Sequence, residues 1–268
     1  GAGGRSHRRG GRGGHPQASS APLPRAAGGG RQRMSGDAYV TLMASLPALG
    51  PILAARHPPI NAVRLEARLR MLRPEHRAEL DALSGVLAWR RQTLEDTDAA
   101  FVARARRVIP RLSSPTLAGL ARERLELRTV VAALRRRHAG QEAPPEGATW
   151  GYGRFVRRIR DNWQEPGLGV ARAFPWVLAA KETLEAGEAT ALERILLEAA
   201  WRQAERRAVG HAFDFEAVAL YAVRWKLLER WTRYDAEAAT ARFRRLAGEA
   251  LAPLPERLAP GVYPTEAA

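Results

Sequence analysis

The sequence predicts an all-α protein, a multi-helix bundle, and three observations carry that prediction. Beyond residue 60, apolar side chains recur at three- and four-residue steps, the spacing that gathers them on one helix face. Helix start and stop signals punctuate these runs. No run of alternating β-branched residues occurs, and only 38–46 has a composition that would pass for a strand. The bundle is expected over 37–248, as one body or as two lobes divided in the 140–149 loop. An Arg/Gly-rich arm (1–36) precedes it and a Pro-rich tail (249–268) follows.

The first 33 residues contain ten glycines, one leucine and no aromatic residue. Ordering them would cost backbone entropy with no apolar burial to offset it, so the arm reads as disordered. Its RRGGRGG stretch is similar to RGG-type RNA-binding segments. The plainer expectation is that Met34 starts the protein and the arm is upstream sequence, because foldable sequence follows at once. The 18 residues 38–55 carry no charge, a length approaching a membrane span or a signal segment. Pro47, Gly50 and Pro51 interrupt any continuous helix there, and Asp37 precedes it with no basic residue after Met34. The stretch is therefore expected to belong to a soluble core.

Helices follow in order. Asn61 can cap NAVRLEARLRML, and Pro74 suits the first turn of the next helix. Thr97-Asp98 starts a helix ending near Pro110. Ser114-Pro115 starts a long one that runs to about His138 and is closed by Gly140 and Pro144-Pro145. Within it Leu117, Leu120, Leu127, Val130, Val131 and Leu134 share a face. Further helices are expected over 170–186, 188–208, 214–234 with Asp214 as N-cap, and 235–251. The 214–234 segment is apolar on nearly every side: Phe215, Val218, Leu220, Tyr221, Val223, Trp225, Leu227, Leu228 and Trp231. A helix of that kind is surrounded by others, so it is predicted to be the central one.

The chain has 43 Lys plus Arg against 28 Asp plus Glu, a net charge of +15. That excess points to polyanionic partners. Seven arginines and no acid fall within 1–33, leaving +8 for the other 235 residues, an ordinary balance. Only Lys181 and Lys226 are lysines, as expected of a GC-rich coding sequence, which weakens basicity as a clue to function.

No catalytic constellation emerges. Without cysteine there is no disulfide, thiol nucleophile or Cys-ligated metal. His57, His76, His138 and His211 are scattered, with no HExxH pair. Glu75 and His76 are adjacent and point apart on a helix. The glycines of 151–153 and 167–169 lack the Lys-Ser/Thr pair and the preceding strand of a phosphate loop, so they read as turns. A Gly-x-Ser-x-Gly elbow and a Glu-x-x-His pair are missing too. No catalytic, cofactor-binding or metal-ligating residue is expected, and no cofactor. Polar residues inside apolar surroundings, Glu126 and Arg128 around Leu127 and Asp161-Asn162 before Trp163, are expected to form interhelical ion pairs or to be exposed. Arg135–Arg136–Arg137 and Arg157-Arg158 are expected as solvated faces that could meet acidic loops or anionic lipid.

Several segments in order resemble the bacterial family of C-like subunits of V-type (A/V-type) ATPases. They are the opening YVTLMASLPAL from Tyr39, Pro58-Pro59-Ile60, Glu126-Leu127-Arg128 leading to Leu134, Asn162-Trp163 through Pro166, and Phe174-Pro175-Trp176. The closing ones are Asp214-Phe215-Glu216-Ala217, Arg224-Trp225 and Glu229-Arg230-Trp231. The likeness covers about 37–245. It implies an all-helical central-stalk subunit without nucleotide binding, coupling the rotating shaft to the membrane rotor ring for ion or proton transport and ATP synthesis. Shaft and ring subunits would then be its partners, with the protein peripheral on the cytoplasmic face of the membrane and no small-molecule substrate. The competing reading is an Arg-rich helical nucleic-acid-binding protein, drawing on the charge, the arm and the tryptophans. A third is an enzyme with dispersed carboxylates in a helical pocket.

Overall fold

The computed structural model describes residues 39–88 and 98–251, leaving aside the side chains of 98 and of most positions in 235–251. The arm and the tail from 252 onward lie outside the described residues. Among those described, every regular element is helical: α1 (Val40–Ala44), α2 (Ala62–Leu69), α3 (Pro74–Leu87), α4 (Asp98–Val108), α5 (Pro115–His138), α6 (Val156–Asp161), α7 (Val177–Glu185), α8 (Ala189–Ala208) and α9 (Phe215–Leu251). Short 3-10 turns at Ile52–Ala54 and Ile109–Arg111 complete the set. No described helix is long and apolar enough to cross a membrane.

The start signals act as expected. Asn61 Oδ1 accepts the Arg64 N–H at 2.8 Å, Ser114 Oγ accepts the Leu117 N–H at 3.3 Å, and Asp214 Oδ1 accepts the Ala217 N–H at 2.9 Å. Each satisfies one donor that a helix start leaves unpaired. Proline occupies the first turn of α3 and of α5.

Three expectations change. In place of the strand-like 38–46, the described residues 39–46 form no strand: 40–44 is the helical turn α1, which buries Leu42 and is followed by the Pro47–Pro51 interruption. The helix expected over 170–186 begins only at Val177, because Pro175 disfavours helical backbone at Phe174 and 170–173 closes as turns. Nothing breaks 214–234 from 235–251. Between Tyr234 and Asp235 stands neither glycine nor proline, and α9 runs 37 residues without interruption.

Two large cores and a smaller third organise the bundle. The first gathers α1 to α4, the first half of α5 and the first half of α9, with Leu83, Ile109, Leu120 and Leu220 almost fully buried. The second gathers the second half of α5, α6, α7, the start of α8 and the turns of 150–174, including Trp150, Trp163 and Leu168. The third joins Ile52 to Trp201 on α8 and to Leu228 and Trp231 on α9. The division between the two large cores passes through α5 between Leu125 and Leu127, upstream of the 140–149 loop.

All nine apolar residues predicted to make α9 central are buried. α9 packs along α8 and also meets α5, α1, α3 and the 3-10 turn at 52–54. Trp225 shows how the central helix is held: its ring is 4 % exposed and its Nε1–H donates to Ile60 O at 2.8 Å. Buried tryptophans usually find such a partner.

Candidate functional site

A cleft of about 430 Å³ runs as a groove along one face of α8. Ile195, Glu198, Ala199, Arg202 and Arg206 line it, and their three- and four-residue steps place them in one row. The opposite wall is the turn 173–176 with Ala179 of α7, and the floor comes from Glu123 and Glu126 of α5 with Arg154 and Phe155. Phe155, Phe174 and Trp176 pack edge to face, with centroids 5.1 and 5.7 Å apart. The Arg154 guanidinium lies 4.8 Å from the Phe155 ring centre.

Glu126 is buried in a helix that would normally exclude it, and the reason is a loop. Its Oε1 accepts the Arg154 backbone N–H at 3.3 Å and sits 3.6 Å from Arg154 Nε. Gly153 lies beneath with φ +98°, where a Cβ would collide with the Glu126 side chain, so glycine is required for this approach. One turn further along α5, Thr129 Oγ1 accepts the Tyr152 N–H at 2.8 Å. Arg137, near the end of the same helix, donates to the carbonyls of Trp163, Glu165 and Pro166. This corrects the expectation that Arg137 belongs to a solvated triplet: the turn after α6 presents the Trp163 and Pro166 carbonyls beside that of Glu165, which also accepts the Leu168 N–H, and a guanidinium reaches several at once.

Below the groove, α5 and α8 are joined by buried polar groups. Arg124 Nε donates to Gln203 at 3.2 Å and its Nη2 to Ala200 O at 2.9 Å. Burial pushes the Arg124 pKa down to about 10, with the Arg230 cation adding to the effect and Glu123 opposing it, so the guanidinium still carries its charge at neutral pH. Glu123 Oε1 pairs with Arg207 at 2.5 Å, while its Oε2 is buried without a hydrogen-bond partner. Glu193 of α8, 8 % exposed, takes both a 2.5 Å and a 3.0 Å bond from Arg230 of α9. The Arg224 guanidinium stands 5.7 Å from the Trp201 ring centre, and burial lowers its pKa.

The other residues singled out in the sequence are dispersed. Arg128 faces away from Glu126 and lies 3.6 Å over the Phe101 ring. Asp161 pairs with Arg160 at 2.8 Å and Arg157 at 3.5 Å, and the Arg160 guanidinium lowers its pKa. Asn162 donates to Arg158 O at 2.7 Å and fills the space beside Gly169. The glycine pairs form turns between helices, as expected.

The histidines do not converge. Tyr39 Oη accepts the Arg73 N–H and shares a hydrogen bond with His76 Nδ1 at 2.6 Å, and the His76 ring stacks on Phe215 at 4.2 Å. His211 donates from Nδ1 to Asp214 at 2.6 Å, and its Nε2 lies 3.1 Å from Thr116 Oγ1. His211, Asp214 and Glu216 bring possible ligand atoms within 4.8 Å of one another. Asp214 is already the cap of α9 and both His211 nitrogens are engaged, which accounts for the grouping as a brace at the start of that helix. His57 lies beside a second, more open depression of about 450 Å³ with Arg56, Asn61 and Arg233 over Trp225. His138 is exposed in the last turn of α5.

The buried ties of Arg124, Thr129, Gln203 and Glu193 were missed in the sequence. Their signal was partial: Arg124 stands one turn from Leu120, Ala121 and Leu127, Thr129 from Leu125, Ala132 and Ala133, Glu193 from Ala189, Leu196 and Leu197, and Gln203 from Ala199 and Ala200, but charged or polar residues occupy the remaining neighbouring positions. Of the described tryptophans only Trp176 is half-exposed and the rest are buried, so the described surface holds no row of rings on which bases could stack.

Fold and site together define an all-α protein whose α8 groove is lined by charged groups largely engaged with one another. No protein family, no curated protein and no solved structure matches the chain.

Proposed function

We propose that the chain is a non-catalytic central-stalk subunit of a V-type rotary ATPase, one that couples the rotating shaft to the membrane rotor ring. It would work as a partner of shaft and ring subunits, peripheral on the cytoplasmic face of the membrane. The observation that carries this reading is the unbroken α9, about 55 Å long at 1.5 Å per residue, gripped on several sides by other helices. A rod held in that way suits the transmission of force. The residues that bear the family likeness also act as joints between distant segments. Tyr39 meets His76, Trp225 meets Ile60, and Glu126 holds the 153–154 turn. The carboxylates of the α8 groove have arginine partners, an arrangement suited to holding shape more than to moving protons.

The test is recovery of the tagged full-length protein from its own cells under mild detergent. Catalytic and shaft subunits of a rotary ATPase should co-purify with it, and the purified chain alone should hydrolyse no ATP. Deleting the gene should lower ATP-driven ion transport in membrane vesicles more than ATP hydrolysis. Recovery of the protein free of every ATPase subunit overturns the proposal.

A further inference from the structure

At the start of α9 two carboxylates stand where an arginine-rich chain supplies them with no arginine. Among the described residues, the buried or half-buried Glu66, Glu123, Glu126, Glu193, Glu198 and Glu229 each pair with an arginine. Glu79, also half-buried, is served by the Ser113 hydroxyl and the Ser114 N–H. Asp214 and Glu216 are half-buried as well, and neither has an arginine or lysine partner among the described residues. What they share is the His211 ring: one ligand atom from each of the three residues lies within 4.8 Å of the others. A single imidazole offsets at most one of two like charges held so close.

We infer that His211, Asp214 and Glu216 form a binding site for a zinc-like divalent cation, with water as the remaining ligand. One imidazole nitrogen and two carboxylate oxygens suit such a borderline ion, whereas magnesium and calcium prefer oxygen donors alone. The brace between His211 and Asp214 is then the metal-free form. Asp214 divides its oxygens: Oδ1 accepts the Ala217 N–H at 2.9 Å and Oδ2 the His211 Nδ1–H at 2.6 Å, so the helix cap stays when Oδ2 turns to the metal. The ion takes the place of the Nδ1 proton, and Nε2 gains a proton that it donates to Thr116 Oγ1, 3.1 Å away. A hydroxyl accepts as readily as it donates, so the contact survives the change of tautomer. A ligating histidine is ordinarily oriented through its other nitrogen in this way. Zinc ligands at about 2.1 Å from the ion lie about 3.4 Å apart, so Nδ1 and Oδ2 open by less than about 1 Å, and the Glu216 carboxylate closes by at most about 1.4 Å. Two carboxylates outweigh the positive end of the α9 dipole, roughly half a charge. The bound ion ties the 209–214 turn to α9 and, through Thr116, to α5, and none of this rests on the coupling role.

The experiment titrates zinc chloride into the metal-stripped full-length protein and follows the heat of binding and the melting temperature. One zinc per chain should bind and raise the melting temperature, EDTA should reverse both, and magnesium chloride at the same concentration should do neither. Glu216 pairs with no other described side chain, so Glu216→Gln should keep the metal-free melting temperature while weakening zinc binding at least about tenfold. Thr116→Val, which frees the ring without touching a ligand, should weaken it about tenfold. His138→Gln, an exposed histidine at the end of α5, should leave binding unchanged. In the zinc-bound protein the His211 nitrogen-15 resonances should show Nδ1 ligated and Nε2 protonated. No saturable zinc binding, binding indifferent to Glu216→Gln, ligation through Nε2, or magnesium as effective as zinc overturns the site.

Discussion

Around α9 the core is made by helix faces meeting helix faces. Around the second half of α5 it is made by turns that polar side chains hold in place. In the first region Leu83, Leu120 and Leu220 interlock, and the hydrogen bonds between segments, such as those from Trp225 to Ile60 and from Tyr221 to Pro47, start from a helix that is already regular. In the second, Trp150, Trp163 and Phe174 come from irregular backbone whose course is fixed by Glu126, Thr129 and Arg137 projecting from one helix. Leu168 is the sharpest case. It is fully buried yet adopts φ 54°, next to Gly169 at φ 67°, so its apolar burial offsets a backbone state that a leucine seldom takes. The comparison teaches that similarly buried cores fail differently. One is lost by removing volume, the other by cutting a tether.

The largest effect should come from the first core. Trp225→Ala empties a buried aromatic site and leaves Ile60 O without its donor, an expected loss of about 3–5 kcal/mol. Urea unfolding would measure it, and an unchanged midpoint would show that α9 is not central. In the second core, Arg137→Ala removes the donor to three carbonyls and should cost about 1.5–3 kcal/mol. Amide exchange should rise first in 162–168 while α9 stays protected; equal loosening in both places would erase the distinction. Gly153→Ala forces a left-handed alanine against Glu126 and should cost about 1–3 kcal/mol. Its readout is the melting temperature, and Gly153→Ala combined with Glu126→Ala should recover part of the loss.

The smallest effect concerns Tyr221, which donates to Pro47 O at 2.9 Å. Burial raises its pKa from 10.0 to about 12, with Arg224 and Arg68 pulling the other way. Folding therefore favours the neutral phenol. That contribution is fully present below pH 10 and is lost as pH rises through about 12. Tyr221→Phe should cost about 0.5–1.5 kcal/mol at neutral pH and flatten the fall in stability under alkali. Phenolate absorbance during an alkaline titration would show the late-ionising group and its disappearance in the variant.

The α9 region was the more legible in the sequence because its chemistry is periodic. Nine apolar residues over 215–231 announce a surrounded helix, and Asn61, Pro74, Ser114 and Asp214 mark starts by local hydrogen bonding alone. The turns of 150–176 were not legible as a packed unit, because the partners that order them lie some 20 to 30 positions away, as Thr129 does from Tyr152 and Arg137 from Glu165. A side chain's partner across such a gap leaves no periodic trace. The same reason hid the groove. The α8 row could be read as a helix face, but its opposite wall depends on where the Phe174-Pro175-Trp176 turn returns.

Residues 115–138 serve both cores as one uninterrupted rod, and that sharing has a consequence for how the molecule comes apart. Fraying the rod from either end strips apolar partners from the neighbouring half, so loosening that begins in one half spreads to the other. Two cores with separate linings are thereby expected to melt in a single cooperative transition.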